Sequence, residues 1–119
     1  MKDKSDWQLH KRANTVFDQI VIPAFADLME FYNGMAGYVV KKVPDSPLIT
    51  GIKRYASIMV RHPSGIEMIV CVYWVEESGK LVAENIRMVT LSKTFDLYTV
   101  TKEELLGHVK FLSVLDRVH

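Results

Sequence analysis

The stretch Ile66-Glu67-Met68-Ile69-Val70-Cys71-Val72-Tyr73-Trp74-Val75-Glu76 decides how this chain is read. Residues 68–75 are uninterruptedly apolar and rich in β-branched and aromatic types, which suit a pleated strand, and the run is too short for a buried helix. Side chains alternate along a strand, so Ile69, Cys71, Tyr73 and Val75 share one face while Met68, Val70, Val72 and Trp74 share the other. Both faces are apolar. A strand of a sheet with one wet face alternates apolar and polar residues, so this one is predicted to be central and covered on both sides. Left open, it would be an aggregation hazard.

The flanking residues set its neighbours. Pro63-Ser64-Gly65 reads as a three-residue turn that pairs Arg61 with Glu67, Met59 with Ile69, Ser57 with Cys71 and Tyr55 with Tyr73. The other face then pairs Val60 with Met68, Ile58 with Val70, Ala56 with Val72 and Arg54 with Trp74. These partners match in kind, as cross-strand neighbours should. On the far side, Ser78-Gly79 read as a two-residue turn sets Cys71 beside Ile86, Val72 beside Asn85, Val70 beside Arg87 and Tyr73 beside Glu84.

Further β-type segments at 38–43, 52–62, 81–91 and, more weakly, 95–100 are separated by short turn-rich stretches such as Pro44-Asp45-Ser46-Pro47. Short connections imply an antiparallel meander of four to five strands. Before it, Leu9, Ala13, Val16, Phe17, Ile20, Ala24, Leu28 and Phe31 recur every three or four residues, predicting a long amphipathic helix over 6–32. Ser5 or Asp6 would cap its start, and Gly34 would take the left-handed conformation at its end. Pro23 interrupts the pattern and predicts a kink or a split near residues 20–22. After the meander, Thr101 and Glu104 form a capping box that opens a last helix bearing Leu105, Val109, Leu112 and Leu115 on one face. The fold class is therefore α+β, as one domain over residues 1–119.

Two faces need covering and two helices are present, so the sheet either takes one helix per face, curls round the first helix, or meets a second copy of the chain. The first helix is apolar nearly all round, with a second stripe of Val21, Ile22, Phe25, Met29 and Tyr32 as a candidate self-association face. A homodimer is expected.

Composition narrows the function classes. Fifteen Lys and Arg against fourteen Asp and Glu give a net charge of +1, and the basic residues are interspersed with acids, so no nucleic-acid or membrane partner is expected. The single cysteine, Cys71, and the polar residues 1–6 fit a cytoplasmic protein without a signal peptide. No phosphate-binding glycine loop, metalloprotease helix, CxxC pair or nucleophile elbow occurs, and His10, His62, His108 and His119 fall on separate elements, so no catalytic residue, metal or cofactor is expected. Cys71 reads as an inert core thiol, and Glu84 is the one carboxylate placed in an apolar setting.

Two functional readings follow. The first is a non-enzymatic cytoplasmic protein-interaction module that dimerises. The second is a small-ligand-binding domain or modest enzyme, whose pocket between a curled sheet and the first helix takes an anionic or amphipathic molecule. Its candidate residues are Arg54, Trp74, Asn85 and Arg87, where guanidinium groups beside an indole and an amide could grip a carboxylate or phosphate. Replacing Arg87 separates the readings: Arg87→Ala abolishes binding of an anionic ligand under the second and leaves partner capture intact under the first, as isothermal titration and pull-down would record.

Overall fold

A computed structural model describes residues 4–42, 52–75, 79–86 and 88–114. The chain begins with α1 (Lys4–Val16), a π-helical turn (Phe17–Val21) and α2 (Ile22–Asn33). These run on without a break. Pro23 is the cause: it lacks an N–H and its ring crowds the carbonyl four residues back, and the preceding turn widens so that Ile22 N–H reaches the carbonyl of Phe17, five residues earlier. Pro23 then sits at the start of α2, where a missing donor costs little. Ser5 and Asp6 fall inside the first turn of α1.

Gly34 keeps a right-handed backbone (φ −84°), contrary to the expectation of a left-handed cap, because the chain continues for three residues before turning. The turn is made at Gly37 (φ +85°), where an added Cβ would meet the Pro63 ring at 3.0 Å.

Five strands follow in the spatial order β1-β2-β3-β4-β5, all antiparallel: β1 (Val39–Lys42), β2 (Ile52–Arg61), β3 (Glu67–Val75), β4 (Lys80–Asn85) and β5 (Met88–Asp96). β3 is central, as its two apolar faces require. Its pairing with β2 runs from Arg61↔Glu67 to Tyr55↔Tyr73 as predicted, and the Arg61 guanidinium holds Glu67 Oε2 at 2.6 Å. Beyond Tyr55 the register slips before Ile52↔Val75, so Arg54 is not set squarely against Trp74.

The β3–β4 register differs from the expected one by two residues: Cys71 faces Glu84, Tyr73 faces Val82 and Val70 faces Asn85. Four residues, 76–79, lie between the paired Val75 and Lys80, where a two-residue turn was expected. A shift of two preserves which face each side chain occupies but moves every neighbour along the ladder. The segment read as one strand over 81–91 is two strands, since Asn85 pairs with Met88 across Ile86-Arg87. The end of the segment read as 95–100 is turn beyond Asp96.

Both helical units pack on one face of the sheet. Ile58, Val60, Val70, Val72, Trp74, Leu81 and Ala83 join Val16, Phe17, Val21, Leu28, Leu105, Val109 and Leu112 in a single core. One helix per face is thus not the solution. α3 (Lys102–Leu112) begins with the predicted capping box, in which Glu104 N–H donates to Thr101 Oγ1 and Thr101 N–H donates to Glu104 Oε1, each at 3.2 Å. Its far end leaves carbonyls without helical partners, and side chains of the sheet and of α3 itself supply the donors. Asn85 Nδ2 donates to Leu112 O at 2.6 Å, His62 donates from Nε2 to Ser113 O at 2.9 Å, and Ser113 Oγ donates to Lys110 O at 2.8 Å. Asn85→Ala removes the amide and strands the buried Leu112 carbonyl, so urea unfolding should show a loss of about 1–3 kcal/mol. The exposed cap variant Thr101→Ala should lose about 1 kcal/mol.

Candidate functional site

Of the residues singled out for an anion site, two can be placed, and they stand apart along the sheet. Trp74 and Asn85 are on the helix-covered face, but Trp74 pairs with Leu81 and Asn85 with Val70, four ladder steps or roughly 13 Å apart. The two-residue register shift is what separates them. Asn85 is fully buried and anchors α3. Trp74 is buried edge-on to the His10 ring, with 4.9 Å between centroids, and its indole N–H has no hydrogen-bond partner among the described residues. The Arg54 side chain and Arg87 lie outside the described residues.

The proposed stripe on the first helix divides in the same way. Val21, Phe25 and Tyr32 are buried in the core of their own chain, and Met29 packs against that core, which leaves Ile22 as the exposed member. The Tyr32 hydroxyl is hydrogen-bonded to Ser113 Oγ, and burial pushes its pKa up. Tyr32 therefore ties α2 to the end of α3, a role no spacing in the sequence announces.

The opposite face of the sheet is covered by none of the described helices, and its side chains form an ordered array. One row across the strands is Tyr55, Tyr73 and Val82. The next is Ser57, Cys71 and Glu84. A third is Met59 and Ile69, continued by Ile86, whose N–H donates to Ile69 O. The middle row carries short or polar groups between two rows of bulky ones, and it is buried: Ser57, Cys71 and Glu84 are 4%, 1% and 9% exposed. The outer rows are half-buried, and Ile86 is exposed.

Two members of the middle row interact with the tyrosines of the neighbouring row. Ser57 Oγ donates to Tyr55 Oη at 3.1 Å, and the Tyr73 phenol is close enough to the Glu84 carboxylate for the two to interact. The ion pairs among the described residues use Glu67, Asp96 and Asp27, and none engages Glu84. Burial first, and then the neighbouring Glu84 charge, push the Cys71 thiol up to about 12 and the Tyr73 phenol up to about 12. At neutral pH both hold their protons, so Cys71 is no nucleophile and Tyr73 is a donor. Among the described residues, no group of three His, Cys, Asp or Glu side chains is arranged to hold a metal ion. No family model, no curated protein and no solved structure matches the chain.

Sequence reasoning noted Glu84 but set it opposite Tyr73 and did not group it with Ser57 and Cys71. The signal was there in the alternation of Ser57 and Cys71 with larger residues along both strands. Two measurements check this environment. At pH 8 a thiol at about 12 holds about a thousandfold fewer thiolates than one at the ordinary 9.0, so iodoacetamide should modify native Cys71 far more slowly than the unfolded chain. Comparable rates would contradict the burial. Both groups bind their protons more tightly in the folded state, so the stability they confer is complete below their ordinary values of 9.0 and 10.0 and is lost as pH rises toward about 12. Thermal melts between these limits should fall with pH, and less steeply for Tyr73→Phe and Cys71→Ala.

Proposed function

We propose that the protein is a non-enzymatic cytoplasmic interaction module, that its working surface is the helix-free face of the sheet, and that it forms a homodimer by laying this face against that of a second copy. The observation that carries this reading is the chemistry of the outward positions of β3. In an antiparallel sheet covered on one side these positions are normally polar, whereas here they are Ile69, Cys71 and Tyr73, flanked by Met59 and Val82. Face-to-face sheet packing at about 10 Å would bury these rows and bring them to the dryness the core-facing side already has. The cytoplasm suits the single buried thiol of Cys71.

The ligand-pocket reading, between the sheet and the first helix, draws support from one feature, the indole N–H of Trp74 beside His10, which has no hydrogen-bond partner among the described residues. A buried donor of this kind could meet an acceptor on an anionic or amphipathic ligand.

Sedimentation velocity over roughly two decades of concentration around micromolar separates the outcomes. The dimer reading expects concentration-dependent association of the wild type, and a monomer when Ile69→Lys places a charge at the middle of the face with the circular dichroism spectrum unchanged. A wild type that stays monomeric, or an Ile69→Lys variant that dimerises as before, overturns it.

A further inference from the structure

We propose that Asn33-Gly34, at the end of α2, is a site of spontaneous deamidation, which converts Asn33 to aspartate and isoaspartate and loosens the joint between α2 and β1. This inference goes beyond the working surface proposed above and does not rest on it, since α2 packs on the other face of the sheet.

The chain has three asparagines, and their settings differ. Asn85 is fully buried, its amide donates to the Leu112 carbonyl, and the branched Ile86 follows it. Asn14 lies inside α1 and is followed by the branched Thr15. Asn33 is the last residue of α2, it is exposed, and a glycine follows it. Asparagine is among the thermally labile residues of a protein, and the group that attacks its side-chain amide is the backbone nitrogen of the next residue. A branched side chain on that residue crowds the approach. Glycine leaves the approach open and gives the backbone its widest choice of angles.

The local backbone supplies the rest. Residues 33–37 are exposed throughout, and the chain runs through turns from Gly34 to Gly37 before it enters β1. The attacking nitrogen, that of Gly34, donates its proton to Glu30 O at 3.3 Å, a long bond at the very end of the helix. Helix ends fray at little cost, so opening this bond frees the nitrogen and lets Asn33 leave the helical conformation and swing its Cγ onto it.

The reaction needs only water. Hydroxide removes the Gly34 amide proton, the nitrogen bonds to Asn33 Cγ, and the Cγ–Nδ2 bond breaks, with Nδ2 taking a proton from water and leaving as ammonia. Water then opens the cyclic imide. Cleavage between the nitrogen and Cγ leaves aspartate, and cleavage between the nitrogen and the Asn33 backbone carbonyl leaves isoaspartate, whose main chain runs through Cβ and Cγ. Either product places a negative charge at the C-terminal end of α2, where the helix dipole disfavours it and where Glu30 stands three residues earlier. Isoaspartate also lengthens the main chain beside Tyr32, whose hydroxyl ties α2 to Ser113 at the end of α3.

The test incubates the full chain in warm, mildly alkaline buffer, native and in urea, and follows each asparagine by peptide mapping with mass spectrometry. In the native protein Asn33 should exchange its amide for a carboxyl, in both isomers, while Asn14 and Asn85 remain amides. Gly34→Ala fits the backbone, since φ is −84° and an added Cβ would be in ordinary contact with Phe31 O at 3.7 Å. It should slow the conversion at least about tenfold with the circular dichroism spectrum unchanged. The converted protein, separated by ion exchange, should melt below the unconverted one. A native Asn33 that stays intact while the urea-unfolded chain converts, conversion of Asn14 or Asn85 at the same rate, or an unaltered rate in Gly34→Ala overturns the site. A converted protein that melts with its parent overturns the loosening of the joint.

Discussion

The structure depends on β3 being kept from water on both sides. Its inward side chains, Val70, Val72 and Trp74, are covered in the ordinary way, by helices whose apolar faces complete a core with Ile58, Val60, Leu81 and Ala83. Its outward side is drier than an exposed sheet face should be, and it reaches that state without a described helix above it. The short residues Ser57 and Cys71 alternate with larger neighbours along β2 and β3, and together with Glu84 they are buried. The hydrophobic requirement of one strand is thus met by helices on one side and by a buried middle row on the other.

This division assigns different tasks to the polar groups. On the covered side they join elements. Asn85, His62, Tyr32 and Ser113 hold the end of α3 to β4, to the β2–β3 hairpin and to α2, and they satisfy carbonyls that a helix terminus leaves open. On the other side the buried Glu84 lies beside Cys71 and Tyr73, which keep their protons at neutral pH. Buried polar atoms that are fully engaged fix a fold.

The long helix shows the same interplay of local demand and global fit. Its apolar stripe runs through Pro23 without a change of direction because the π-helical turn at Phe17–Val21 absorbs the extra width, which lets Val16, Phe17 and Val21 lie in the core together with Ala24, Phe25 and Leu28. A clean split at the proline would have left these two groups to find separate places on the sheet.

Much of this was written in residue patterns. The all-apolar run 68–75 placed β3 at the centre, the Pro63-Ser64-Gly65 turn and the Arg61–Glu67 pair determined the β2–β3 register, and the capping box located α3, because each depends on neighbours along the chain or directly across one turn. Ile86-Arg87 contains none of the residue types that favour a turn, and Ser78-Gly79 suggests a tighter turn than the four residues between the paired Val75 and Lys80 allow. Those two features depend on how side chains distant in sequence fill a shared core. The tertiary structure alone decided that both helices lie on one face, that Val21, Phe25 and Tyr32 are interior, and that Ser57, Cys71 and Glu84 share a row. A periodicity states that a residue has a buried side, but only the packing of whole elements determines what buries it.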